Sequence, residues 1–266
     1  MKYIVCVKQV PDTTGKVAVK PDGTINRALM DTIINPDDLN AVEAALSLKD
    51  KTNGEVIVLS MGPAQARSML AELLSMGADK AYLVCGREFA GSDTYATSQI
   101  LTAAINAIGI DDETVIFCGR QAIDGDTAQV GPQLAQKLGI PLITYAADIK
   151  ADGNTITVKR KLDDGFSVVQ TKMPCLITCI KDLNTPRYMT VPQIMDFDEK
   201  PYIVLEYNDL KDDPHISADT IGLEGSPTII YKSFGPPKRQ VGMMLKGNAK
   251  EQVGQLFDIL SEKHLV

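Results

Sequence analysis

The chain has 266 residues, 44% of them apolar, which suits one large domain or a domain with an appendage and excludes a disordered protein. Lys and Arg number 27 against 34 Asp and Glu, a formal charge of −7, which disfavours non-specific attraction to nucleic acid or to an anionic membrane surface. With only His215 and His264, and five scattered cysteines at 6, 85, 118, 175 and 179, neither a histidine-based or metal centre nor a secreted disulfide scaffold fits, so difficult chemistry falls to a bound cofactor.

Residues 1–8 offer too short an apolar run for a signal peptide, and no stretch reaches the roughly eighteen apolar residues of a membrane span, so a cytoplasmic protein with reduced thiols and no membrane insertion is expected. The first strand is predicted over 3–7, and a hairpin over 17–25, where Asp22-Gly23 suits the turn. A helix then begins. Asn35 is a suitable N-cap, Pro36 is preset for the first helical position, and Asp37 and Asp38 place negative charge at the positive end of the dipole. Leu39, Val42 and Leu46 form its apolar stripe, and Asn53-Gly54 stops it.

From there strands and helices alternate: a strand over 55–60, a helix over 63–76, a strand over 81–85, a helix over 93–108, a strand over 114–118, a helix over 126–138 ended by Gly139, and a strand over 140–144. Successive strands fall about 25 to 30 residues apart, the spacing of right-handed crossovers, which predicts an α/β fold with a mainly parallel, doubly wound sheet in three layers. Beyond Tyr145 the signals turn antiparallel, with strands over 155–161 and 167–172 around Asp163-Asp164-Gly165 and an apolar run over 175–180, expected to decorate or extend the sheet. Cys175 and Cys179 would face one side of a strand roughly 13 Å apart, too far for a disulfide, which favours core packing. Past Asn208 the chain loosens through Asp212-Asp213-Pro214, Gly225-Ser226-Pro227 and Gly235-Pro236-Pro237, then ends in a helix over 249–263 with Val253, Leu256, Phe257 and Leu260 on one face. The expected division is an α/β domain over 1–205 and an arm over 206–266, whose helix must bury its apolar face either on a partner chain, the favoured reading, or back on its own domain.

In an open parallel sheet the ligand crevice lies at the carboxyl ends of the strands. The most suggestive end is Gly119-Arg120-Gln121-Ala122-Ile123-Asp124-Gly125-Asp126-Thr127-Ala128-Gln129-Val130, where a strand runs through a glycine-punctuated loop into a helix and free N–H groups would converge on an anion. Gly91-Ser92-Asp93-Thr94 supplies a second helix start, although Ser92, Asp93, Asp126 and Thr127 also read as ordinary caps. Neither G-x-G-x-x-G after the first strand nor G-x-x-x-x-G-K-[ST] is present, so a standard Rossmann site and a P-loop are unsupported. A helix dipole supplies about 0.3 to 1 kcal/mol where micromolar binding needs about 8, so base and ribose require walls, available at 6–10, 35–38 and 61–64.

The loop at 119–132 resembles the nucleotide-binding loop of the electron-transferring flavoprotein beta subunit. Val158-Lys159-Arg160, Asp164-Gly165, Met173-Pro174-Cys175-Leu176-Ile177-Thr178 and Leu183-Asn184-Thr185-Pro186-Arg187-Tyr188 are similar to that family's diagnostic stretch, and Asn35-Pro36 and Met61-Gly62-Pro63-Ala64-Gln65 also match. The resemblance spans residues 1 to about 205. It implies the adenine nucleotide alpha hydrolase-like variant of the fold and a heterodimer with an alpha subunit that the arm embraces. It implies AMP in the nucleotide site of simple members and FAD, reduced by NADH, in electron-bifurcating members. Carried over by motif, the cofactor contacts would be Cys6, Asn35, Asp38, Met61 and the positions from Gly119 to Val130. The stretch Gly91-Ser92-Asp93-Thr94-Tyr95-Ala96-Thr97 looks like the bifurcating group and adds Thr94 and Thr97 as phosphate contacts. No side chain is expected to act as a catalytic acid, base or nucleophile, and no metal ligand is assigned.

The expected function is therefore to bind FAD and pass electrons from NADH to ferredoxin or flavodoxin and to a flavin dehydrogenase, of acyl-CoA or 2-hydroxyacid type. Partner recognition falls to Arg187, Tyr188, Val191 and Met195. Where the family carries a lysine-rich stretch, this chain has Met195-Asp196-Phe197-Asp198-Glu199-Lys200, which would reverse the preferred charge of the docking partner unless the acids are merely solvated. The alternatives are a non-bifurcating beta subunit with structural AMP and a stand-alone adenine-nucleotide sensor of the universal-stress type. An ATP-cleaving ligase is disfavoured because Lys8-Gln9-Val10-Pro11-Asp12 stands where a Ser-Gly-Gly loop belongs.

Overall fold

A computed structural model describes residues 1–12, 31–229 and 242–266, so the hairpin expected over 17–25 lies outside the described residues. At its centre is β1 (Lys2–Cys6), whose Tyr3, Ile4 and Val5 have no exposed surface, as a strand covered on both faces requires. Parallel neighbours flank it, β4 (Glu55–Met61) on one side and β6 (Thr114–Gly119) on the other, with Cys6 opposite both Leu59 and Cys118. Beyond β4 lie β5 (Lys80–Val84) and an edge strand, which is β11 below.

Side-chain alternation along β1 sorts the helices into two layers. Tyr3 and Val5 pack with Val42 and Leu46 of α1 (Pro36–Thr52) and Leu70 and Leu73 of α2 (Arg67–Met76). Ile4 and Cys6 pack with Ile100 and Ile105 of α3 (Thr94–Ile108) and Leu134 of α4 (Val130–Leu138). The fold is thus the expected three-layer, doubly wound sheet. The helices that follow β1 and β6 leave to opposite faces, which opens a crevice at the carboxyl ends of these adjacent strands.

Several expectations need correction. The helix expected from 126 begins at Val130, because Asp126 and Ala128 hold φ of 50° and 54°, outside right-handed helical space. The run at 175–180 is not part of an antiparallel extension. It forms β10 (Cys175–Cys179), parallel and inserted between β6 and β7 (Leu142–Asp152), with every residue buried. Its unbroken apolar stretch is the mark of a strand covered on both faces. Cys175 and Cys179 are free thiols in one core layer, as expected, and burial pushes the Cys175 thiol up to about 12. The strand expected over 140–144 is the start of the longer β7, which leaves the parallel sheet to pair with β8 (Thr155–Lys161), itself paired with the edge strand β9 (Phe166–Lys172). A two-stranded ribbon, β2 (Gln9–Pro11) with β3 (Thr32–Ile34), and the pair α5 (Val191–Asp196) and β11 (Tyr202–Leu205) had no clear sequence signal.

The segment between β10 and β11 is held against α1 and α2 by charge. Arg187 forks onto Glu43 of α1, with Nε 2.9 Å from Oε2 and Nη2 3.0 Å from Oε1, donates its backbone N–H to the same carboxylate, and reaches Asp50 at 2.8 Å. Lys200 donates to the carbonyls of Leu74 and Ala78 at the end of α2, where the helix dipole favours a cation. Residues past 205 also stay on the body: Leu210 of α6 (Tyr207–Leu210), Ile216 and Ile221 are buried with α3 in one cluster. By contrast α7 (Ala249–Glu262) buries no side chain, and Val253 and Phe257 are 66% and 61% exposed.

The Arg187 clamp makes a measurable contribution. Burial raises the Glu43 carboxyl, but the bonds from Arg187 and Ser47 outweigh it and hold the group below its ordinary value. Its stabilisation is therefore complete above the ordinary glutamate pKa of about 4.3 and is lost as the pH falls through the lowered value. Arg187→Ala is expected to cost about 1–3 kcal/mol at pH 7, below the roughly 3–5 kcal/mol of a fully buried pair because the guanidinium is 34% exposed, with the difference shrinking at pH 3. Urea denaturation of both proteins at the two pH values measures it, and an equal difference at both would refute the assignment.

Candidate functional site

The crevice between the ends of β1 and β6 is built from the backbone outward. Asp38, in the first turn of α1, accepts the N–H of Lys8 at 2.8 Å and of Gly119 at 3.0 Å, so one carboxylate joins the ends of both strands. Gly119 makes this approach possible: a Cβ there would lie 2.3 Å from Asp38 Oδ1 and 2.7 Å from α1 backbone atoms. Asn35, expected as an N-cap, makes no cap bond. Its side chain reaches across the crevice instead, donating to Gln121 O at 2.9 Å and accepting from Ile123 N–H at 3.1 Å, while its backbone N–H donates to Lys8 O.

Further bonds fix the loop. Lys8 Nζ lies 2.8 Å from both carboxylate oxygens of Asp124, Gln121 Nε2 donates to Asp126 Oδ1 at 2.7 Å, and Arg120 N–H donates to Cys179 O at 2.8 Å. Arg120 Nε stands 3.3 Å from Asp37, close enough for ion pairing but out of line for a hydrogen bond. Asp37 is raised by burial and lowered in part by Arg120. The remainder of the loop faces outward, with Asp124, Gly125, Asp126 and Thr127 exposed and Ala122 half-buried.

At the loop's end, Ala128 is left-handed and Gln129 right-handed, the succession that turns consecutive N–H groups to one side as an anion-binding nest. Among the described residues no acceptor meets the N–H groups of Thr127, Ala128 or Gln129. Val130 then opens α4, adding the free N–H groups of a helix start. The start of α3 lies beside it, because Thr94 Oγ1 donates to Gln129 Oε1 at 2.8 Å, and Thr97 is half-buried one turn on. This donor set fits a phosphate or diphosphate. Cys6 and Cys118 form the adjoining strand ends, and Met61, half-buried, ends β4.

The residues singled out in the sequence fall into two roles. Asn35 and Asp38 are buried with their polar atoms committed to the crevice wall, and the Thr94 hydroxyl is committed to Gln129, whereas Thr97 and the N–H groups of 127–130 are left unmet among the described residues. Lys8, the cation over the loop, was missed because a lysine after a strand carries no local signal. A recess of about 330 Å³ beside α4, lined by Pro132, Ala135, Gln136, Gly139, Ile140 and Leu142, carries no charged side chain and does not suit a phosphate. Partner recognition was assigned to four residues, of which Arg187 is committed to α1 while Tyr188, Val191 and Met195 are 93%, 71% and 76% exposed on the anchored segment. Asp196, Asp198 and Glu199 beside them are solvent-facing. Among the described residues no cluster of three or more metal-ligating side chains occurs, and no helix is long and apolar enough to cross a membrane.

Residues 22–210 match the Electron transfer flavoprotein domain. The chain is 58% identical, over the full length of both, to the acryloyl-CoA reductase electron transfer subunit gamma of Anaerotignum propionicum. It is 47% identical to the caffeyl-CoA reductase-Etf complex subunit CarD of Acetobacterium woodii and 44% identical to the electron transfer flavoprotein subunit beta of Thermoanaerobacterium thermosaccharolyticum, each again over the whole of both chains.

The wall residues make two expectations concrete. Gly119→Ala forces α1 from β6 and is expected to cost at least about 1–3 kcal/mol in urea denaturation; an unchanged midpoint would contradict the packing. Burial pushes the Asp38 carboxyl up to about 7, with Asn35 and the N–H groups of Lys8 and Gly119 pulling the other way. Because this value is raised, the folded state holds the proton more tightly, and the associated stability, full below the ordinary value of about 3.9, is lost as the pH rises to about 7. Asp38→Asn should therefore gain on the parent protein by roughly 2–3 kcal/mol between pH 5 and pH 8, and parallel stability curves would count against it.

Proposed function

Since the chain belongs to the electron transfer flavoprotein family, as a subunit of the beta type, we propose that its crevice holds FAD and that the subunit takes part in electron bifurcation. The single observation that carries this reading is the nest at 127–130 beside the start of α3, where the unmet N–H groups of the nest and those of Thr94 and Tyr95 form two sets of backbone donors for a diphosphate. A monophosphate such as AMP needs only one. When bound, FAD supplies acceptance of the two electrons of NADH and their release singly, one to ferredoxin or flavodoxin and one to a flavin dehydrogenase.

The chain's own residues bind and orient. The N–H groups of 127–130 and of Thr94, with the hydroxyl of Thr97, would hold the phosphates while the Thr94 hydroxyl keeps Gln129 in place, and Cys6, Met61 and the strand ends would wall the nucleoside. Asn35, Asp38 and Lys8 keep the loop in place, so little ordering is left for the moment of binding. Partnership follows from exposure: the apolar face of α7 suits an alpha subunit of the family, and the Tyr188, Val191 and Met195 patch suits the dehydrogenase. The names of two of the relatives favour a dehydrogenase that acts on acyl-CoA thioesters, over a 2-hydroxyacid enzyme. The acidic rim at Asp196, Asp198 and Glu199 favours a docking face with basic residues. The balance of charge and the residues of the site give no role to nucleic acid.

Mass-identified nucleotides of the copurified heterodimer decide between the readings. Two FAD and no AMP per heterodimer are expected, with loss of the second FAD when Thr94 and Thr97 are changed to valine. One FAD with one AMP would remove bifurcation and leave a non-bifurcating beta subunit with structural AMP.

A further inference from the structure

The root of the C-terminal arm and the proposed phosphate site meet at one side chain. Asp93 precedes α3, and its two carboxylate oxygens are divided: Oδ1 accepts the N–H of Ala96 at 3.0 Å and so caps α3, whereas Oδ2 accepts the N–H of Thr228 at 2.9 Å, 135 residues along the chain. The Asp93 backbone N–H donates to Ser226 Oγ at 2.8 Å, and that buried hydroxyl donates on to Gly222 O at 2.6 Å. Gly222 N–H in turn donates to Ser92 Oγ at 3.1 Å, and Ser92 donates to Phe89 O. The approach is close: Gly222 sits at φ +66°, and a Cβ there would lie 2.4 Å from Glu88 O.

From Asp93 the contacts continue the other way. The next residue, Thr94, donates to Gln129 at the end of the nest. We infer that Asp93 is a positioning residue that couples the C-terminal arm to the cofactor crevice, because one carboxylate both sets the first turn of α3 at the crevice and anchors the root of the arm. A path thus runs from Thr228 by a hydrogen bond to Asp93, along the chain to Thr94, and by a second hydrogen bond to Gln129. The consequence is thermodynamic. A nucleotide that fixes the start of α3 also fixes the root of the arm, and a partner that fixes the arm raises nucleotide affinity by the same factor. The coupling rests on the reading of 127–130 and α3 as the nucleotide site.

A cap serving only helix stability would not make exchange at 222–229 depend on ligand. The test is hydrogen exchange of the full-length chain with and without saturating FAD, and separately AMP, each used as a probe. The expected result is slowing at 119–130 and, at least about threefold, at 222–229. Asp93→Asn retains one acceptor oxygen for the cap but presents an N–H group to Thr228, so the slowing at 222–229 should disappear while that at 119–130 persists. Ser226→Ala, which leaves the cap acceptor untouched, should weaken the distal effect in the same direction and serves if Asp93→Asn does not fold. Slowing at 119–130 with none at 222–229 in the parent protein overturns the coupling and leaves the nucleotide site standing. No slowing at 119–130 with either probe removes the nucleotide site and the coupling together, and unchanged distal slowing in both variants assigns the effect to other contacts.

Discussion

Asp38 stands where three elements end. Its carboxylate takes the N–H of Lys8 beyond β1 and of Gly119 at the end of β6, and it does so from the first turn of α1, close enough that no side chain larger than hydrogen fits at 119. Every other wall of the crevice is referred to that junction. Asn35 spans from the residue before α1 to Gln121 and Ile123, Lys8 reaches Asp124, and the loop is delivered to the start of α4 with its N–H groups facing outward. A buried carboxylate is costly unless it is hydrogen-bonded, and here the partners are main-chain groups of the very strands that must be kept at a fixed spacing.

The division of labour that results is unlike a site made of reactive side chains. Residues committed to structure surround residues left free, and the free ones are mostly peptide N–H groups whose orientation the left-handed Ala128 sets. Such a site has little chemistry of its own, which suits a subunit whose reaction is carried by what it binds. It also explains how Thr94 and Gln129, which are distant in sequence, belong to one feature: the starts of α3 and α4 are neighbours on the same face of the sheet.

Much of this was legible in the chain alone, where the signal is local. The strands β1, β4, β5 and β6 follow from apolar runs of five to seven residues, α1 from its stripe and stop, α2 and α3 from the alternation of strand and helix, and the crevice from a glycine-marked loop between strand and helix. What failed depends on contacts made far along the chain. Asn35 has every attribute of a cap, but a competing pair of backbone partners 86 and 88 residues away takes its amide. Residues 126–129 have helical period, yet the left-handed backbone at 126 and 128 overrides it. Arg187 looked like a recognition residue, and its guanidinium is committed to Glu43, a partner 144 residues away that no spacing rule relates to it.

The place of β10 has a consequence for synthesis on the ribosome. It lies between β6 and β7, but emerges only after the β8–β9 ribbon has been made, so a nascent chain of 172 residues has a gap in the middle of its sheet. Arg120, whose N–H is received by Cys179, must likewise wait for it. Vectorial folding can therefore assemble the amino-terminal half as a provisional platform, but the loop after β6 gains its final support only when the last interior strand slides between neighbours that were translated earlier.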